Sequence, residues 1–307
     1  LAVRRLEIKV RNRIDFETDL KNEIHNAFSA FGLKIPIKRR IDEMLLDYLT
    51  IHKKIISPRK RNVLINPELA EKLDKHNKRK EVETIRFRLE TGKDVNIFQS
   101  KRLFQSQFHD HLLYEWNVFH FHLSLEKDKK SNFVRQTDLL LFAYIDNEEA
   151  IFLDIENHKP GIFADEKWLE VIDRHFPEIL EKHIHPDIIN VYPELKPVDR
   201  QKFWDYGYSL GFTKVNGKII GSPGVGRMTS GHSMVVVKTC NEVLRWLYTL
   251  NEHFEKYYKE ICESFEINPD DARYKLTFGG ETLNLIETTT KKTILTYPNI
   301  FNVTLDE

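Results

Sequence analysis

Cysteine is nearly absent from this chain: Cys240 and Cys262 are the only two among 307 residues. Two thiols so far apart build neither a disulfide framework nor a cysteine-based zinc site. The expectation is a reducing, cytoplasmic setting. Long apolar runs are lacking as well. None approaches the roughly 18 residues that a bilayer-spanning helix requires, so no membrane partner is expected. No charged-then-apolar leader ending in small residues is seen. Internal repeats and low-complexity tracts are absent, which argues against a solenoid or a biased linker. A net charge is lacking too, with 47 basic residues against 47 acidic ones.

That balance hides an asymmetry. Residues 1–105 hold 25 Lys and Arg against 15 Asp and Glu, and the remainder holds 22 against 32. Most of the excess lies in SPRKRN (57–62), which holds Arg59, Lys60 and Arg61, in KHNKRKE (75–81), and in Lys101 and Arg102. Such a patch suits a polyanion, because neutralised phosphates release counterions. The same residues also suit solvated helix ends.

Apolar residues make up 41% of the chain, enough for one large or two ordinary domains. Leu6, Ile8 and Val10 alternate with charges as in a strand. Phe16, Leu20, Ile24, Phe28 and Phe31 then recur at helical spacing up to Gly32, and Pro36 opens a second helical pattern. A strand at 63–65 and helices at 67–73 and 79–89 follow. Residues 118–125, 138–145 and 149–156 read as three strands, the last two joined by a tight turn at Asp146-Asn147. Helical spacing returns over 164–180. The expected fold is α+β: a small antiparallel sheet flanked by helices, with a helical N-terminal segment and a second α+β C-terminal segment. The expected domains are 1–61, 62–185 and 186–307.

Strands alternate their side chains between two faces. In VFHFHLSL, Phe119, Phe121, Leu123 and Leu125 form an apolar face, so His120 and His122 point the other way. In AIFLDIENHK, Asp154 and Glu156 lie opposite Ile151, Leu153 and Ile155, and His158-Lys159 follow. In a shared sheet these polar residues meet on one wet face. More than half of the 13 histidines fall between 109 and 185. A solvated sheet face accounts for the same pattern without any chemistry.

Imidazoles titrate near neutrality, so one can take a proton while another gives one. Arg or Lys stabilises the charge on a phosphate. This set suits metal-free RNA cleavage, with His120 or His122 as base, His158 as acid, and Arg135 and Lys159 on the phosphate. Two alternatives stay open. Asp138, Asp154 and Glu156 resemble the carboxylates of the PD-(D/E)xK nucleases, which hold Mg; there Lys159 falls one position late. The pairs His109–His111 and His120–His122 each have HxH spacing, which can chelate zinc. A further reading is a non-enzymatic module binding nucleic acid or a partner protein.

LLYEWNVFHFHLS, VRQTDLLLFAYID and EEAIFLDIENHK, taken in order, resemble the core of the RelE/ParE toxin superfamily. Trp116, Arg135, His158 and Lys159 match its Trp-led strand, strand-opening Arg and terminal basic dipeptide. About 55 residues are covered. The resemblance implies a small sheet packed on helices and, in the RelE branch, mRNA endonuclease activity. It also implies a toxin or phage-defence role and an antitoxin partner.

Two further stretches invite a function. GSPGVGRMTSG (221–231) approaches a phosphate loop, but Arg227 and Met228 replace the Lys and the hydroxyl residue, so a flexible loop is expected. FWDYGYSLGF (203–212) has the aromatics to stack bases, but a turn packed on the core is the expectation.

Overall fold

The computed structural model describes residues 14–33 and 39–298. The expected strand at 6–10 and the start of the second helical pattern at Pro36 lie outside the described residues. The elements run α1 (Phe16–Ala30), α2 (Ile41–Lys54), β1 (Asn62–Ile65), α3 (Pro67–Leu73), α4 (Arg79–Glu90), α5 (His111–Trp116), β2 (Val118–His122), β3 (Leu139–Ile145) and β4 (Glu149–Asn157). They continue with α6 (Lys167–His175), α7 (Glu178–Glu181), α8 (Pro197–Asp205), β5 (Phe212–Val215), β6 (Lys218–Gly221), α9 (Met234–Ser264), β7 (Tyr274–Gly279), β8 (Thr282–Glu287) and β9 (Lys292–Tyr297). The fold is α+β with a helical N-terminal segment. Among the described residues, no helix is long and apolar enough to cross a membrane.

The chain divides into two compact units, Lys54–Met234 and a second made of Leu1–Lys53 with Val235–Glu307. This differs from the expected divisions at 61 and 185. The stretch after 185 stays with the sheet because the β5–β6 hairpin lends Val215 and Ile220 to its core. The N-terminal helices join the C-terminal part instead. In that unit the four-residue spacing of Phe16, Leu20, Ile24 and Phe28 makes one fully buried stripe on α1. Phe16 meets Phe254 of α9 edge-on at 5.3 Å, and Tyr48 stacks on Phe278 of β7 at 5.3 Å. Asp19 and Glu23 of α1 accept the backbone N–H groups of Leu276 and Phe278.

The unit Lys54–Met234 is built on a four-stranded sheet of order β1-β4-β3-β2. The three strands read from the sequence pair antiparallel as expected, and β1 joins β4 in parallel. Helices α3, α4 and α5 fill the route from β1 to β2. One sheet face packs Phe119, Phe121, Leu141, Phe152 and Ile155 against α4 and the segment after it. The other packs Val118, Leu140, Phe142, Ile151 and Leu153 against Trp116, Trp168 and Trp204. Phe142 stacks on Trp168 at 4.0 Å.

This second cluster corrects the expectation of an open polar face. The face carrying the histidines is largely core, and His122 is only 7% exposed. The register also slips at Leu153, where β4 carries one residue more than β3. A bulge of this kind moves the residues beyond it to the other face. Ile155 therefore sides with Phe152 rather than with Ile151 and Leu153.

The segment 221–231 is not a loose loop. Gly224 and Gly226 donate to the Glu115 and Tyr114 carbonyls at 2.9 Å. A Cβ at Gly224 would stand 2.5 Å from the Tyr114 oxygen, so only glycine allows this approach. Arg227 is buried and pairs through Nε with Glu115 at 3.0 Å; their side chains are 1% and 2% exposed. The Ser209 and Ser222 hydroxyls donate to the other Glu115 oxygen, and Arg227 also donates to the Trp204 and Tyr208 carbonyls. Each buried charge is thus met by hydrogen bonds, without which burial would be prohibitive.

Candidate active site: a histidine-lined cavity

A cavity of about 480 Å³ opens where α5 meets the end of β2. His109, His111, His120, His122 and His158 all line it, with Asp110, Arg102 and Gln136 among their neighbours. The register explains the approach of the three expected histidines. His120 is opposite Phe142 and His122 opposite Leu140, one strand from the end of β4 where His158 follows. The His158 N–H donates to the Asp138 carbonyl, which holds the strand end against the sheet.

His120 stands beside Asp110. Its Nδ1 is buried without a hydrogen-bond partner and lies 3.9 Å from Oδ2 of Asp110. Oδ1 of Asp110 accepts the Leu113 N–H at 3.1 Å and so caps α5. The carboxylate is thereby held with one oxygen toward the imidazole. The rings of His120 and His158 both lie about 5 Å from the Phe163 ring, at 5.0 and 5.1 Å. His122 is fixed differently: both backbone groups of Thr137 meet its Nδ1, the N–H at 3.0 Å and the carbonyl at 2.9 Å.

Burial sets the protonation of this cluster. It pushes His122 down to about 4, with the neighbouring His120 acting in the same direction. It lowers His120 too, against the opposing pull of Asp110. His109 falls to about 4 through burial and then His232, and His111 to about 3 through burial and then Arg227. These four imidazoles are neutral at pH 7 and present lone pairs rather than charge. His158 is exposed at the mouth.

The other expected site residues are placed elsewhere. Arg135 is 71% exposed and pairs with Glu126 at 3.1 Å. Lys159 pairs with Glu156 at 3.3 Å. Neither lines the cavity. Glu156 also takes Lys167 at 2.6 Å, and Asp154 takes Lys72 at 2.9 Å. Asp138 is exposed beside β3. Among the described residues, no group of three or more His, Cys, Asp or Glu is arranged to hold a metal ion. The expected basic track disperses as well. Arg61 is buried and donates to the Asp146, Ser57 and Arg59 carbonyls. Arg59 donates to the Ser57 hydroxyl, Lys60 is exposed, and Lys101 pairs with Asp128. Arg102 alone of these five lines the cavity, its guanidinium 5.3 Å from the Phe108 ring.

Asp110 was passed over in the sequence because it sits between two histidines of an HxH pair. Its signal is the capping position: an Asp one residue ahead of the Leu112-Leu113 run, with His111 between. The cavity can therefore accept a proton at a buried, carboxylate-backed imidazole and supply one from a wet imidazole across it. It can also meet an anion at Arg102. None of the known protein families, curated proteins or solved structures matches this chain significantly.

Proposed function

We propose that the chain is an endoribonuclease that cleaves RNA by metal-independent acid–base chemistry in the histidine-lined cavity. The observation that carries the reading is the convergence of His120, His158 and Arg102 on one cavity, with Asp110 behind His120. A volume of about 480 Å³ falls in the range of small-ligand sites.

In this reading Nε2 of His120 takes the proton of a ribose 2′-hydroxyl. The 2′-oxygen attacks the adjacent phosphorus, and a 2′,3′-cyclic phosphate forms as the bond from phosphorus to the 5′-oxygen breaks. His158 gives its proton to that leaving oxygen, and Asp110 steadies the imidazolium that His120 becomes. Arg102 stabilises the charge on the phosphoryl oxygens, the part that the sequence had assigned to Arg135 and Lys159. The choice of RNA rests on this 2′-hydroxyl chemistry and on the resemblance to the RelE/ParE superfamily. The segments that carry the resemblance form α5 and β2 to β4 of a single unit. A toxin or phage-defence role follows from the same resemblance. A cytoplasmic setting suits Cys240 and Cys262, both buried free thiols.

The test incubates the purified chain with RNA and with DNA, each with and without EDTA. RNA cut to 2′,3′-cyclic phosphate ends in EDTA, with DNA intact, is the expected result. Cutting abolished by EDTA moves the activity to a metal enzyme, and RNA left whole in all conditions removes the proposal.

A further inference from the structure

The unit Lys54–Met234 has six exposed large aromatic side chains, and five of them, Tyr192, Phe203, Tyr206, Tyr208 and Phe212, fall within 21 residues. Such clustering is not what solvent favours; exposed aromatic patches on a folded surface mark binding sites. Of the stretch 203–212, expected to pack on the core, Trp204 is buried but its aromatic neighbours stay outside.

Three of these rings, Tyr192, Phe203 and Phe212, line a second cavity of about 560 Å³. Helix α8 is the wall between the two cavities. Its Gln201 and Asp205 line the histidine cavity, and its Arg200 and Phe203 line the aromatic one. The wall is braced at its C-terminal end, where Arg227 joins the Trp204 and Tyr208 carbonyls to Glu115 of α5. The aromatic surface and the helix capped by Asp110 therefore keep a set spacing.

The polar lining says what kind of group fits. Arg200 is spent on the Ala164 carbonyl and Glu166, and Lys214 on Glu194. With both cations already paired the lining offers little to a phosphate, while the rings offer flat apolar faces. Every nucleobase has a π-face that stacks on such rings regardless of sequence.

We propose that the aromatic cavity is a second subsite, which stacks a base of single-stranded RNA flanking the nucleotide held among the histidines. This rests on the RNA-cleaving reading of the first cavity.

The test measures binding of a fluorescein-labelled oligoadenylate decamer and of the dinucleotide adenylyl-adenosine to the full chain carrying His120→Ala, which blocks turnover. Tyr192→Ala and Phe203→Ala are then added singly. Both rings are exposed, at 89% and 40%, so the fold tolerates their loss. Each variant is expected to weaken decamer binding roughly tenfold, with dinucleotide binding unchanged. Decamer affinity unchanged in both variants overturns the subsite, as does an equal loss for both probes. Self-association that Tyr192→Ala abolishes while RNA affinity holds assigns the patch to a second copy and likewise overturns it. The two proposals fail separately. An active chain whose RNA affinity ignores both rings loses the subsite and keeps the nuclease. A chain that cuts nothing yet needs the rings to hold the decamer does the reverse.

Discussion

Asp110 serves two groups at once: Oδ1 caps α5 at the Leu113 N–H, 3.1 Å away, and Oδ2 stands 3.9 Å from Nδ1 of His120. A carboxylate pinned by a helix cap pays little entropy to orient an imidazole, so the approach can shorten when substrate enters. Asn caps helices as well as Asp does. Asp110→Asn is therefore expected to keep the melting temperature near that of the parent while lowering kcat at least about tenfold. Asp110 raises the affinity of His120 for its proton. Its removal shifts the acidic limb of the kcat/KM profile to lower pH, and an unmoved profile argues against the pairing.

Direct removal of the acid and the base is the plainer experiment. His120→Ala and His158→Ala are each expected to slow RNA cleavage by at least about 10²-fold, the usual size of a general acid–base contribution. Arg135→Ala and Lys159→Ala are expected to leave the rate unchanged, because their side chains pair at the surface away from the cavity. Rates measured under single-turnover conditions separate these effects from product release.

Stability should fall in mild acid. His109, His111 and His122 hold their proton affinities at about 4, 3 and 4, against an ordinary value of 6.5. Below pH 6.5 the unfolded chain binds protons that the folded chain refuses, so unfolding gains ground. Their contribution is complete above about 6.5 and drains away as pH falls toward 4. Thermal melts across that window are expected to show a declining midpoint, and His122→Gln a shallower decline. A midpoint that is flat from pH 7 to 4 refutes the neutral, buried assignment.

The Glu115–Arg227 pair is expected to be costly to break. Arg227→Met leaves the Glu115 carboxylate buried, with only the Ser209 and Ser222 hydroxyls for partners. A loss of about 3–5 kcal/mol follows from stranding a buried charge. Chemical denaturation measures it. Replacing both residues by apolar ones of similar volume should recover much of the loss.

Gly224→Ala probes the same contact sterically. Its Cβ would meet the Tyr114 carbonyl carbon and oxygen at 2.7 and 2.5 Å, both of them backbone atoms that cannot yield. The segment must lift from α5, and a destabilisation of about 2 kcal/mol or more is expected in the same denaturation experiment.

Local patterns were readable where physics is local. The period-two alternation of VFHFHLSL and of 149–156, the turn at Asp146-Asn147 and the four-residue stripe of α1 require no knowledge of distant residues. They placed His120, His122 and His158 together, and the cavity holds all three. The failures share a cause. Arg135 lies four residues before β3, outside the regular pairing that fixes side-chain direction, and Lys159 lies past the end of β4, where Glu156 draws it away. The one-residue slip at Leu153 cannot be seen in an alternation that looks unbroken.

What the order of residues determined on its own was therefore the secondary structure of the sheet, the side of β2 that bears imidazoles, and the antiparallel hairpin of β3 and β4. What only the folded chain decided was that this side is covered: Trp168, Trp204, Val215 and Ile220 arrive from up to a hundred residues away to make it a second core. That burial strips His120 and His122 of water and keeps them neutral, and it leaves one gap in which Asp110 and Arg102 meet them. Periodicity acts within a strand, whereas desolvation depends on every element that packs above it.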